Sequence, residues 1–162
     1  MGEKLNVRPH MQIKHHGLFN QQVTYDAIRG WFFQNGYVPF MKGQDAKSTG
    51  QTRMTKCEFN AFKDTGNYHR FWMKIWIISR DEHPVAIERD GKQITVAKGR
   101  FEVFVNSWIE KDYKNFFTGK SHFWDFIRDL YEKLIAQRID VKWEQLSIET
   151  DDLEQTIKDS FY

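Results

Sequence analysis

The chain is poor in the residues that staple, break or divide a fold. One cysteine, Cys57, stands among 162 residues, so no internal disulfide can form. A lone thiol suits a reducing compartment, and the expected location is the cytoplasm or the inside of an assembled particle. Only three prolines occur, and no linker rich in Gly, Pro or Ser interrupts the chain. One domain over 21–162 is therefore expected, with an arm or short strand over 1–20. No apolar run approaches the roughly 18–20 residues that a transmembrane helix needs. The opening MGEKLNVRPH has no apolar core of a signal peptide. Asn6 stands where a myristoylation signal carries Ser or Thr.

The motifs that usually announce chemistry are also missing. There is no H-E-x-x-H, no Walker A, no G-x-G-x-x-G and no G-x-S-x-G. Six histidines are scattered, and the adjacent His15 and His16 would point to opposite sides of a strand. Cys57 falls on the apolar side of an alternating segment, the position of an inert core thiol. Asp112-Tyr113 follows the last strand, where sites often lie, but the favoured reading is structural, with Asp112 capping the turn and Tyr113 packed under the long helix. The expectation is a non-catalytic protein with no cofactor and no metal.

What the chain does hold is aromatic surface: 14 Phe, 6 Trp and 6 Tyr. Each can bury roughly 150–250 Å², enough for a real core at this length. Thr55, Cys57, Phe59 and Ala61 alternate with Lys56, Glu58 and Asn60, the period of a half-buried strand. From Tyr68 to Ser79 both faces are apolar. Phe71, Met73, Ile75 and Ile77 share one side, and Trp72, Trp76 and Ile78 the other, which predicts a central strand or one covered on its second face. Asp90-Gly91 between two strand-like runs signals a type I′ hairpin. Gly99 reads as a break, and Phe101, Val103 and Val105 as the inner row of a further strand. Lys42 to Gly50 reads as a polar loop.

Helical spacing appears at both ends. Ile28, Trp31 and Phe32 share a face in a helix over about Tyr25–Asn35, with Thr24 as N-cap, a Val23–Ile28 staple and Gly36 ending it. Gly30 would allow another backbone close by. A long helix is expected from a Ser121 cap to about Arg138, its apolar stripe formed by Phe123, Phe126, Ile127, Leu130, Tyr131, Leu134 and Ile135. Asp129 and Lys133 would make an i,i+4 pair on its solvent face. Thr150 would cap a last helix. The fold class is α+β: an antiparallel sheet of four to five strands with an N-terminal helix and two C-terminal helices packed on it.

Gly17-Leu18-Phe19, Trp31 with Gly36-Tyr37, Tyr68 opening a strand, and Asp112-Tyr113 before the helix that carries Tyr131 form a pattern. It resembles that of a group of small uncharacterised archaeal proteins. The resemblance spans most of the chain and implies one complete small domain; it brings no activity and no site residue. The order of helix, antiparallel sheet and long C-terminal helix also resembles the helix-grip arrangement of lipid-binding domains.

These features admit three function classes. Charge is uneven: residues 1–80 carry 12 Lys+Arg against 5 Asp+Glu, and residues 139–162 carry 2 against 7. Opposite poles favour head-to-tail contacts and hence rings or filaments. The leading expectation is an interaction or assembly subunit, a homo-oligomer or a component of a larger particle of the virion or tail kind. The second is an apolar-ligand or lipid-binding domain, with Trp72, Trp76, Phe104 and Trp108 lining a cavity under the long helix; the same four residues would otherwise be core or interface. The third is nucleic-acid binding, with the aromatics between Tyr68 and Arg80, Trp72 and Trp76 among them, stacking bases beside His69, Arg70 and Lys74, and a basic patch of Arg8, Lys14, Lys42, Lys47, Arg53 and Lys56 taking phosphates.

Overall fold

Five antiparallel strands form one sheet, with helices across one of its faces, in a computed structural model that describes residues 3–117 and 122–161, the side chains of 135–137 excepted. In chain order the elements are β1 (Lys4–Phe19), α1 (Gln21–Gln34), β2 (Val38–Thr49), β3 (Thr52–Asp64), β4 (His69–Arg89), β5 (Lys92–Lys111) and α2 (His122–Asp159). Strands β2 to β5 run as a meander, and β1 joins the far side of β5, giving the order β1-β5-β4-β3-β2. The two strands that flank α1 are thus the two edges of the sheet. α1 has to cross one face to connect them, and this crossing decides which face becomes the core.

Residues 1–20, expected as an arm or short strand, supply an edge strand of 16 residues that buries Val7, Ile13 and Phe19. The first helix starts a turn earlier than its apolar spacing suggested. Asn20 is the N-cap, and its Oδ1 accepts from the backbone N–H of Gln22 at 3.0 Å and of Val23 at 3.4 Å. Asn caps at least as well as Thr. Thr24 is instead buried inside the helix and shares a 2.9 Å hydrogen bond with Ser160. Gly36 does end the segment, at φ 76, but nothing lies within 4 Å of a Cβ built at Gly30, so no backbone comes close there.

Residues 42–50 are not a loop. They lie mainly in β2, paired with β3 through Thr49 and Thr52 around Gly50-Gln51, with Gly50 at φ 62. β2 is an edge strand whose side chains are almost all exposed, so it lacks the apolar alternation that marks half-buried strands. Gly99 likewise does not interrupt β5. β4 bulges between Arg80 and His83, and a Cβ at Gly99 would stand 2.7 Å from the Arg80 carbonyl oxygen. Only glycine tolerates that approach without a backbone shift. The Asp90-Gly91 turn has φ values of 52 and 73, as a type I′ hairpin requires.

The core lies on the helix side of the sheet. It is built from Cys57, Phe59 and Ala61 of β3, Phe71, Met73, Ile75 and Ile77 of β4, and Phe101, Val103, Val105 and Ile109 of β5. Ile28, Trp31 and Phe32 of α1 and Leu146, Leu153 and Ile157 of α2 close it. The two expected C-terminal helical stretches are both helical, and they join in one helix of 38 residues, about 57 Å long. Thr150 caps nothing; it is buried mid-helix, where its hydroxyl reaches Ser107 Oγ at 3.0 Å. Ser121 and the Ile135 side chain lie outside the described residues. The expected Asp129–Lys133 pair is replaced by contacts of Arg128 with Asp125 and Asp129.

Candidate functional site

The face of the sheet away from the helices has no cover among the described residues. Trp72 and Trp76 of β4 lie on it, opposite Trp108 and Phe104 of β5 in register. They therefore line no cavity under α2. Alternation along the strand sends them the opposite way from Phe71, Met73, Ile75 and Ile77.

Trp72 and Trp108 stack with centroids 5.8 Å apart and planes 6° apart. Phe62 lies 5.4 Å from Trp72 and Phe40 6.4 Å from it, which extends the row across β2 to β5. Lys4 over Trp108 at 5.0 Å continues it onto β1. Phe40 and Phe62 were missed as candidates in sequence. Phe62 has the same outward parity as Glu58 and Asn60, which was readable; Phe40 precedes a stretch without apolar alternation, which was not.

Charges interleave with the rings. Trp72 donates to Glu110 at 2.6 Å and Trp76 to Glu58 at 3.2 Å. Lys74 pairs with Glu58 at 2.8 Å and sits 4.4 Å over Trp76. The hydrogen bond from Lys74 holds the Glu58 carboxyl below the usual carboxylate range, against the opposing effect of burial. Arg70 pairs with Asp64 at 2.6 Å and is flanked by the rings of Phe62 and Tyr113. The Trp108 indole N–H is buried without a partner, an uncommon state for such a donor.

The six basic candidates do not form one patch. Lys42, Lys47, Arg53 and Lys56 lie on the β2–β3 hairpin, whereas Arg8 and Lys14 lie on β1 at the opposite edge. Arg8 is also paired with Asp151 at 2.9 Å. The acidic end of the chain is partly spent inside the fold: Glu149 takes Lys63 and Tyr37, and Asp152 takes the Trp31 N–H at 2.6 Å. Two ion pairs thus join the basic half of the sequence to its acidic end, Lys63–Glu149 and Arg8–Asp151.

Two further features lie on the helix side. A cleft of about 230 Å³ opens between α1 and β2, lined by Ile28, Phe32, Phe33, Pro39, Met41 and Phe59, with Arg29 among its residues. At the Lys111 end of the sheet, His69 is 5% exposed and its Nε2 has no hydrogen-bond partner. Burial first, then the nearby Lys142 and Lys111 charges, push its pKa down from 6.5 to about 4. A histidine held neutral in the fold takes up a proton more readily when unfolded. Stability contributed by His69 is thus complete above about pH 6.5 and is lost as pH falls toward 4, by up to about 3 kcal/mol. Urea unfolding at pH 7 and at pH 4.5 measures the loss, and His69→Phe should flatten it. An unchanged slope in that variant would remove His69 as the cause.

Cys57 is buried, and burial pushes its thiol pKa up, the opposite of an activated nucleophile. Asp112 accepts from the backbone N–H of Phe116 at 2.7 Å and of Phe117 at 3.2 Å, so it organises the turn. Tyr113 donates to the Gly66 carbonyl and does not pack beneath α2 as one reading had it. Among the described residues no three His, Cys, Asp or Glu side chains converge as metal ligands, and no helix is long and apolar enough to cross a membrane. No family model matches the chain and no curated protein matches it.

Proposed function

We propose that this chain is a non-catalytic interaction subunit that binds a protein partner on its open sheet face. The carrying observation is the aromatic row Phe40–Phe62–Trp72–Trp108, partly exposed, without cover among the described residues and rimmed by paired charges. Five strands about 4.8 Å apart and some ten residues of about 3.4 Å each make a face of roughly 800 Å², the area one partner contributes to an ordinary specific interface. Clustered tryptophans beside an arginine are the usual composition of an interface centre, and charged pairs that of its rim. The same charges argue against nucleic acid. Arg70 and Lys74 are already paired with Asp64 and Glu58, and Glu110 adds a carboxylate where a phosphate would have to approach.

The test compares the wild-type chain with Trp72→Ser/Trp108→Ser, each isolated from its own cells under gentle conditions. Circular dichroism and the unfolding midpoint verify the fold. At least a tenfold loss of a stoichiometric protein partner is expected, since central tryptophans each contribute about 2 kcal/mol or more. An unchanged partner set would sink the reading. So would single-stranded RNA that binds wild-type protein and weakens steeply with salt, which would assign the face to nucleic acid.

A second reading has its own observation. The α1–β2 cleft is apolar and holds exposed Phe33 and Met41, so an apolar ligand would lie there and not beneath α2. Native mass spectrometry of the purified chain shows whether a small molecule travels with it.

A further inference from the structure

Over most of its length α2 carries an apolar stripe into solvent. Phe123, Leu130, Leu134, Val141 and Ile148 are between 46% and 76% exposed. Leu146, Thr150, Leu153 and Ile157, which face the sheet, are fully buried. At about 100° per residue, Ile148 points roughly opposite to Leu146. α2 therefore has two apolar stripes, and the fold uses only one.

The unused stripe has a heptad period. Ile127, Leu134, Val141 and Ile148 recur every seven residues, and Phe123 and Leu130 occupy the alternate seam positions. A stripe that only packed a helix onto a globular core would drift around the helix over this length; a seven-residue repeat stays aligned with a second helix.

We infer that two copies of this chain pair through α2, with the helices antiparallel. In one register every seam layer falls in step: Phe123 meets Ile148 of the second copy, and Leu130 meets its Val141. The flanking charges select this arrangement. In that register Lys133 lies beside Asp140 of the second copy, and by symmetry the contact occurs twice. Neither residue makes an ion pair within its own chain among the described residues. Arg138 comes beside Tyr131 of the second copy. The second helix would lie on the side of α2 away from the sheet, clear of the aromatic face.

The expected strength is moderate. From 123 to 148 the seam is about 39 Å long and a helix is about 10–12 Å wide. Each copy would contribute about 400–500 Å², at the low end of specific interfaces. In the sequence Glu144 and Gln137 occupy the other two alternate seam positions, opposite Ile127 and Leu134, and weaken the contact further. A dissociation constant in the micromolar range follows.

This pairing goes beyond the sheet-face reading and fails independently of it, because it uses none of the same residues. Sedimentation velocity of the full chain from about 1 to about 200 µM should show the mass rising from one 19.5 kDa chain toward two. Leu130→Glu/Leu134→Glu, both at exposed positions, should raise the dissociation constant at least tenfold. Lys133→Asp should weaken pairing, and adding Asp140→Lys should restore it. Under oxidation, Leu130→Cys/Val141→Cys should give covalent dimers, whereas Leu130→Cys alone should not; Cys57 is buried and does not interfere. A single-chain mass at every concentration overturns the pairing. Association that survives Leu130→Glu/Leu134→Glu but is lost in Trp72→Ser/Trp108→Ser overturns it too, and assigns self-association to the sheet face.

Discussion

Replacing Glu149 by alanine should cost the folded chain about 3–5 kcal/mol. Its two oxygens hold three elements together. Oε1 accepts from Lys63 at 2.7 Å and from Gln145 at 2.8 Å, and Oε2 accepts from the Tyr37 hydroxyl at 2.6 Å. The carboxylate is on α2, Lys63 on β3, and Tyr37 at the start of the path into β2. Both charged side chains are under one-fifth exposed. Removing Glu149 would leave the Lys63 ammonium over the rings of Tyr37 and Phe71 with no carboxylate. An unpaired charge at such a site loses much of its hydration without compensation.

The comparison that isolates this effect is Glu149→Leu with Lys63→Met in one chain. With both charges gone, much of the loss should be recovered, because the penalty comes from the stranded lysine more than from the missing attraction. Urea unfolding followed by circular dichroism gives both numbers. A Glu149→Ala loss below about 1 kcal/mol would place this pair with ordinary surface ion pairs.

Phe71→Ala should be comparably severe, at about 3–5 kcal/mol. The ring is fully buried, and Lys63 and Lys142 each lie 5.9 Å from its centroid. Truncation would leave a void beneath α2 that a close-packed interior can only partly collapse into. For a chain of this size the melting temperature should fall by about 10 °C or more. The neighbouring Trp72→Ala is the informative control. It removes a larger ring from the outer face and should cost only about 1–2 kcal/mol, chiefly the stacking on Trp108 and cross-strand packing. Equal destabilisation by the two substitutions would mean that both faces of β4 are core.

That pair of residues shows how much of the fold was readable. Period-two alternation assigned Phe71, Met73, Ile75 and Ile77 to one face and Trp72 and Trp76 to the other, and the Asp90-Gly91 turn set the β4–β5 hairpin. Helical spacing found α1 and most of α2. β2 escaped because an edge strand exposed on both sides needs no apolar period. Continuity of the C-terminal helix escaped because Thr150 has the chemistry of a cap, and only its burial against Ser107 shows a different use.

The candidate site divides in the same way. Local pattern alone put Trp72 with Trp76 on one side of β4 and Phe104 with Trp108 on one side of β5, since alternation is set within a few residues; the β4–β5 register brings the two pairs onto one surface. That this surface would lie away from the core and from α2 was decided by the tertiary structure. α1 must cross from one sheet edge to the other, α2 follows it onto the same face, and the opposite face is left without cover among the described residues. The long helix carries the complementary lesson. The spacing of Phe123, Ile127, Leu130 and Leu134 established an apolar stripe, but only the three-dimensional fold shows that α2 meets the sheet with its other side, at Leu146, Leu153 and Ile157. A stripe specifies that something apolar should cover it; the direction in which the helix docks determines whether that cover belongs to the same chain.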